Sequence, residues 1–575
     1  MKVIMARKAG FCMGVRRAVQ LAIKASYEAE KPVYTYGPLI HNDQALKLLE
    51  MLEIRPIKEI PEKAKGTIII RAHGVPPEDK ERLKKVGFKI IDGTCPRVSR
   101  VQALARRFSR EGYWVVVVGD PDHAEVKGIL GYAGEKGLVV SSFKDLEHLP
   151  SLDKYVILSQ TTQDEEFFKL MVEELLSRYP GGKVYNTICN ATHNRQQEVR
   201  RLCKLCDAIV VVGGKHSANT KRLAMIAREE GKDVFLVETA EELDREALKK
   251  YRQVGVTAGA STPNWVINQV IRTLEEIPSP YESSFLRWGR KFLRFLCESN
   301  LALCLGVFLL SLAALFINGR PFDLRLAVLA TAFLFSAHTV NRLVDLKSLY
   351  LNDPARATFL GKNRFLFIGL TFLGFMLSLI IAWLVDKTVF VMTSFMTMGS
   401  LLYSLPFLGR KNALSPVQRI PGVRSLFIAF GWWITIIWPI ILAYGYKSSL
   451  MWFGYLVLLV AFLRAVLLEI LEFQGDGFVG KETLPVFLGV EKTFLCLKFC
   501  WIFIGLSILG GFLWGGYPKH FLSLLVVPFY SFWVLNQYEK ALLGRNLELE
   551  VSAEGLPLIT GLSVLVGKGI NGLFR

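Results

Sequence analysis

Beyond Asn300 the apolar runs of this chain lengthen to roughly 17 to 22 residues, the length that crosses the hydrocarbon core of a bilayer. Before about Pro280 they are short, as in Thr67 to Ile70, Trp114 to Val118 and Ala208 to Val212, and they alternate with charged, helix-like stretches. The first part therefore predicts a soluble α/β body and the second an all-α, polytopic membrane domain. A chain of 575 residues is in any case too long for one hydrophobic core. The expected division is 1–278, a linker over 279–298 rich in proline and serine, and 299–575.

Nine spans are expected, over 300–317, 325–344, 364–385, 388–405, 424–445, 450–471, 493–514, 520–536 and 556–573. The even connections hold Lys347, Arg356, Lys362 and Arg364, then Arg410, Lys411, Arg419 and Arg424, whereas an odd one such as Val385 to Thr388 is short. The positive-inside rule then puts the N-terminal body in the cytoplasm and the chain in the cytoplasmic membrane. The net charge of +19 fits cytoplasmic loops and lipid headgroups, with Arg287, Arg290, Lys291 and Arg294 beside the linker, so no nucleic-acid partner is expected. The opening segment, Met1 to Lys8, is too short an apolar run for a secretory signal.

Nine cysteines, scattered and odd in number, do not make a disulfide framework in that compartment. Three of them share one local grammar: a short β run, a turn, the cysteine, an amphipathic helix. They are Cys12, Cys95 and Cys189, spaced 83 and 94 residues apart. A thiol at a helix start has its thiolate stabilised by the helix dipole, which favours metal binding, and the spacing is unlike that of a zinc knuckle. The pattern predicts three similar lobes, each delivering one ligand to a shared centre. The pair Cys203 and Cys206 lies in a helical stretch and reads as packing, as do Cys297, Cys304, Cys496 and Cys500 near the membrane spans.

His41, His73 and His123 each follow or lie near a β run, where α/β sheets place ligand contacts. With the donor-rich loops Ser159 to Thr162, Lys215 to Asn219 and Ala258 to Thr262 they suit a polyanion such as a diphosphate.

The strings Ala9-Gly-Phe-Cys-Met-Gly-Val-Arg16, Gly37-Pro-Leu-Ile-His-Asn42, Arg71-Ala-His-Gly-Val75, Asp92-Gly-Thr-Cys-Pro96, Ile188-Cys-Asn-Ala-Thr192 with Asn194-Arg-Gln196, and Thr257-Ala-Gly-Ala-Ser261 closely resemble the 4-hydroxy-3-methylbut-2-enyl diphosphate reductases, over residues 1 to about 278. That resemblance implies three lobes around a 4Fe–4S cluster held by Cys12, Cys95 and Cys189, with one iron left open as a Lewis acid toward the substrate hydroxyl. It implies that His41, His73, His123, Ser217, Asn219 and Ser261 grip the diphosphate, and that Glu125 supplies protons with Thr161 or Thr162. The implied reaction takes two electrons from a donor such as ferredoxin or flavodoxin, loses water, and yields isopentenyl and dimethylallyl diphosphate. Ala218 stands where relatives often have a second serine, so one phosphate contact is expected to be missing. A substrate-free electron carrier is the rival, but it would need four thiolates and no proton donor.

In the membrane half, Asn341, Asp345 and Asp353 form one acidic group, and Glu469, Glu472 and Asp476 another. The latter three are spaced to share a helix face. Facing clusters of this kind suit Mg²⁺, which takes a few carboxylates plus phosphate oxygens. The pattern looks like the UbiA superfamily of intramembrane prenyltransferases over about 295–575, and Tyr403-Ser-Leu-Pro-Phe407 is similar to a loop of that family. The resemblance implies Mg²⁺-dependent transfer of a prenyl group from a polyprenyl diphosphate. Leu349 occupies the place of one motif aspartate, with Asp353 as the candidate substitute, so a degenerate membrane anchor is the alternative.

Overall fold

The computed structural model describes residues 1–40, 42–320, 323–404, 422–479, 481–541 and 547–573. The chain divides into two compact units, Met1–Tyr281 and Glu282–Arg575.

The first unit holds three four-stranded sheets, all parallel. One runs in the order Lys2–Met5, Gln253–Ala258, Ala208–Val212, Asp233–Val237; the second Ile54–Ile57, Val33–Tyr36, Thr67–Ile70, Lys89–Asp92; the third Gly137–Val140, Trp114–Val118, Tyr155–Ser159, Lys183–Val184. Inner strands such as Thr67–Ile70 and Ala208–Val212 are buried along their whole length, as continuous β-branched runs covered on both faces should be. Three edge strands are more polar and more exposed: Lys2–Met5, Lys89–Asp92 and Lys183–Val184. After each of those three comes one of the three spaced cysteines, at the N-cap of the helices Met13–Glu28, Pro96–Arg110 and Asn190–Leu205. The expected three-lobe α/β architecture is what the chain adopts.

The second unit is all helical. Each range expected to span a membrane coincides with a helix, from Leu301–Ile317 through to Leu547–Leu573. Among the described residues, however, 6 helices are long and apolar enough by themselves, or 7 if the pair Ser284–Glu298 and Leu301–Ile317, bent by 73°, counts as one span. The expected count of nine is therefore not reached. In Lys387–Ser404 the apolar run is diluted by Thr388, Thr393, Ser394, Thr397 and Ser400. Ser448–Val479, which contains the expected span 450–471, stands outside that count and continues into Glu469, Glu472 and Asp476. The segment read as a linker contains the helix Ser284–Glu298, on which Phe285, Trp288 and Phe292 are exposed between the basic residues. Part of the Tyr403 to Phe407 loop lies outside the described residues.

Candidate active site

Each of the three cysteines is fixed in the same way. The Cys12 amide donates to Ala260 O (3.0 Å), Cys95 to Ala72 O (2.9 Å) and Cys189 to Thr161 O (2.9 Å). In every lobe the accepting carbonyl lies two residues past the inner strand that pairs with the cysteine's own edge strand. The next residue along is His73, Thr162 or Ser261, and all three line one cavity with the cysteines. The third strand of two lobes adds its own donors: His123 and Glu125 after Trp114–Val118, Ser217 and Asn219 after Ala208–Val212. The corresponding loop after Val33–Tyr36 contributes Ile40, while His41 lies outside the described residues. The cavity encloses ≈ 770 Å³ of empty volume, its open mouth included.

Within it, Glu125 is buried and its two oxygens accept from Thr161: the backbone amide at 2.7 Å and the hydroxyl at 2.9 Å. Burial pushes its carboxyl up to about 7, and the two Thr161 bonds pull against that rise. A carboxyl held there exchanges protons near neutral pH. Thr162 instead accepts from Gln160 Nε2 (3.0 Å), so of the two threonines it is Thr161 that touches the acid. His123 Nδ1 accepts from the Glu125 amide (3.2 Å), and the rings of His73 and His123 meet edge to face at 5.4 Å. Asn219 Nδ2 is buried without a hydrogen-bond partner among the described residues, a donor left for a ligand to satisfy. Ala218 lines the cavity and presents no hydroxyl to it.

The residues fit an iron–sulfur cluster. The thiols sense one another, since Cys95 is raised first by burial and then, against the amides of Arg97 and Val98, by the charges of Cys12 and Cys189. Val15 N–H donates to Cys12 Sγ at 3.5 Å. The buried Arg195 lies close to Cys12 and Cys189; burial pulls its guanidinium down and the thiols pull it back up. It is anchored by donating to Ala191 O (2.9 Å) and Gly10 O (2.6 Å). Arg16 is a second cation beside Cys12. These two arginines, which offset thiolate charge, stand inside the motif strings but carry no role in the sequence reading; only their place next to cysteines could have pointed to them. Among the described residues no three His, Cys, Asp or Glu side chains converge tightly enough for a single ion. A 4Fe–4S cluster, in which three of the four irons take one thiolate each, asks for a wider spread. Cys203 and Cys206 are buried elsewhere, the latter pushed up to about 11 by burial first, as packing residues would be.

In the second unit, Asn341, Asp345, Glu469 and Glu472 line one cavity together with Arg342, Arg424, Arg464 and Lys481. Asp345 pairs with Lys481 at 2.7 Å. Asp476 accepts from Asn352 (3.0 Å) and Ser348 (3.4 Å), and Glu469 from Ser425 (2.9 Å). Glu469 Oε2 and Asp476 Oδ2 remain buried without a hydrogen-bond partner among the described residues, which fits a cation. Asp353 is not brought to this cavity. Its carboxylate caps the helix Pro354–Lys362 by accepting from the Arg356 amide (3.1 Å) and faces the Arg356 side chain, and Leu349 leaves a hydrophobic wall in its stead. Two buried pairs tie the last helix in: Arg356 with Glu550, and Arg464 with Glu554 at 2.5 and 2.8 Å.

Comparison with known proteins gives matches to each half. The sequence model of the LytB protein family matches residues 3–275. A 4-hydroxy-3-methylbut-2-enyl diphosphate reductase of Aquifex aeolicus (strain VF5) is 45% identical over 278 residues, 48% of this chain and 96% of that protein. A solved structure of (E)-4-hydroxy-3-methyl-but-2-enyl diphosphate reductase is 45% identical, with a TM-score of 0.40, covering 48% of this chain and 100% of its own. The apo structure of a UbiA homolog from Aeropyrum pernix K1 is similar at 15% identity and a TM-score of 0.38, over 45% of this chain and 97% of its own.

Proposed function

Since this chain belongs, through its first half, to the LytB family of 4-hydroxy-3-methylbut-2-enyl diphosphate reductases, we propose that the three-cysteine cavity is where it carries out the reductive dehydroxylation of that diphosphate. The observation that carries the assignment to this cavity is the convergence of Cys12, Cys95 and Cys189 with a buried acid, Glu125, and the donors His73, His123, Ser217, Asn219 and Ser261. His41 completes that donor set by the resemblance alone. Cys12, Cys95 and Cys189 would hold a 4Fe–4S cluster, which would relay the two electrons from an external donor, one at a time, and offer a Lewis-acidic iron to the departing hydroxyl. The chain's own residues do the rest. The donors hold the diphosphate by charge-assisted hydrogen bonds and so orient the carbon chain toward the thiols. Glu125 delivers protons, and Thr161 fixes both of its oxygens. Arg195 and Arg16 balance the thiolate charge. The products are isopentenyl and dimethylallyl diphosphate. Replacing Cys12, Cys95 or Cys189 by Ser should abolish visible-range cluster absorbance and turnover together; full activity in any of the three overturns the assignment.

The cavity of the second unit favours a further reading. Orphaned carboxylate oxygens stand on the lining residue Glu469 and on Asp476, buried on the same helix, with the lining residue Glu472 between them, and four cations line the cavity. No three of these carboxylates meet at one point among the described residues, so Mg²⁺ would be held between single carboxylates of Glu469, Glu472, Asp476 and Asp345, beside Asn341, and the phosphate oxygens of a bound diphosphate, and would stabilise that diphosphate as it departs during prenyl transfer to an acceptor in the bilayer. The apolar helices make the chain a multi-pass membrane protein, and we orient it with the reductase half in the cytoplasm. The purified chain should release diphosphate from a polyprenyl diphosphate in a Mg²⁺-dependent way that Glu469→Gln abolishes. No release across a panel of chain lengths and aromatic or lipid acceptors would leave the second unit as an anchor.

A further inference from the structure

Resting on the reductase reading, we propose that the groove walled by the helix Pro96–Arg110 is the docking surface for a small acidic electron-carrier protein, which feeds the cysteine centre through the Thr94–Cys95 segment. The reaction consumes two electrons per substrate, and these must enter from outside. Tunnelling falls off steeply with distance, so a carrier has to settle where a proposed ligand comes close to the surface.

This groove meets that condition. It runs between the second lobe, at Asp92 and Thr94, and Tyr132 of the third, with ≈ 1170 Å³ of empty volume including its open mouth. Thr94 is in its wall and Cys95 is in the wall of the active-site cavity. The two α-carbons are therefore only about 3.8 Å apart. The segment is held stiffly: Arg17 donates to Thr94 O (2.9 Å) and Asp92 O (3.3 Å), and the Thr94 amide donates to Asp92 Oδ1 (2.9 Å).

The groove's charge sets the sign of the partner. Its two acids are already matched, Asp92 by Lys80 at 2.7 Å and Glu111 by Arg107 at 2.8 Å. Arg106 and Arg110 have no ion-pair partner among the described residues, and both are exposed. Arg107, which also lines the groove, adds a third guanidinium between them. Exposed guanidinium groups on the rim of an open groove steer a charged protein, whereas a small-molecule site is enclosed and mostly apolar. Two successive encounters, each releasing the carrier oxidised by one electron, together with two protons convert the allylic alcohol into the alkene products and water.

The test uses the detergent-solubilised full chain, reduced ferredoxin as carrier and dithionite with methyl viologen as a small reductant. In Arg106→Glu/Arg110→Glu, the Kd for oxidised ferredoxin by calorimetry should rise, and the ferredoxin-driven kcat/KM fall, each by about tenfold or more, while the viologen-driven rate stays within about twofold. Binding to the unaltered chain should also weaken as salt is raised. Unchanged ferredoxin binding, or equal losses with both reductants, overturns the docking surface. Absence of viologen-driven turnover in the unaltered chain would instead sink the reductase reading, and the calorimetry would still decide the surface.

Discussion

Glu125 concentrates the chemistry of the first unit in one side chain. Its carboxyl stands near 7 because it is buried, and the folded chain keeps a proton that an unfolded carboxyl, near 4.3, releases. Between roughly pH 4 and 7 the native state thus binds more protons than the unfolded one, so stability falls as pH rises through that window, by about 4 kcal/mol at most. For activity the sign is the same: the protonated acid is the donor, and turnover limited by protonation should decline above pH 7. Glu125→Gln should retain iron and lose about a hundredfold or more of the rate, read by steady-state kinetics beside iron analysis. Thr161→Val removes a hydrogen bond that favours the charged form, so the alkaline limb of the pH–rate profile should move upward. An unmoved limb would detach Thr161 from this titration. The residues of this site were legible one at a time, as a cysteine before a helix or a histidine after a strand. Which threonine meets the acid was not, because Thr161 and Thr162 differ only in the direction in which the loop turns them.

At the scale of elements, the sequence shows a strand, a cysteine and a helix three times over, and that is how the lobes are built. It does not show that each cysteine follows an edge strand, nor that its amide is held by the loop beyond the neighbouring inner strand. Ala260 is far from Cys12 in the chain, and only sheet order brings them together. The first turn of the Cys12 helix passes so near Cys95 that a Cβ at Gly14 would lie 2.5 Å from its Sγ. Gly14→Ala should therefore leave the helix folded, as alanine favours it, yet displace the thiol and lower iron retained per chain. In the second unit, length and hydropathy found the helices but not what pins them. Arg464 and Glu554 are charges within apolar helices, and they meet only through packing. Breaking this buried pair with Glu554→Ala should cost about 3–5 kcal/mol, measurable as a lower unfolding temperature in detergent, and Arg464→Met with Glu554→Leu should recover much of it.

At the scale of the whole molecule, the break at Asn300 in apolar run length announced two bodies, and the chain divides nearby, between Tyr281 and Glu282. The first body matches 96% of the length of the Aquifex relative. Residues 1–281 expressed alone should fold, take up iron and reduce substrate with viologen; failure would mean that the second unit sustains the first. The count of spans was less legible than the break, since Thr and Ser inside Lys387–Ser404 blur an apolar run without ending the helix.

The placement of the three cysteines beyond edge strands bears on how the substrate gets in. A strand at the border of its sheet has a partner on one side only, and among the described residues no ladder joins one sheet to another. A change in the angle between lobes would therefore widen the cavity without parting any pair of strands.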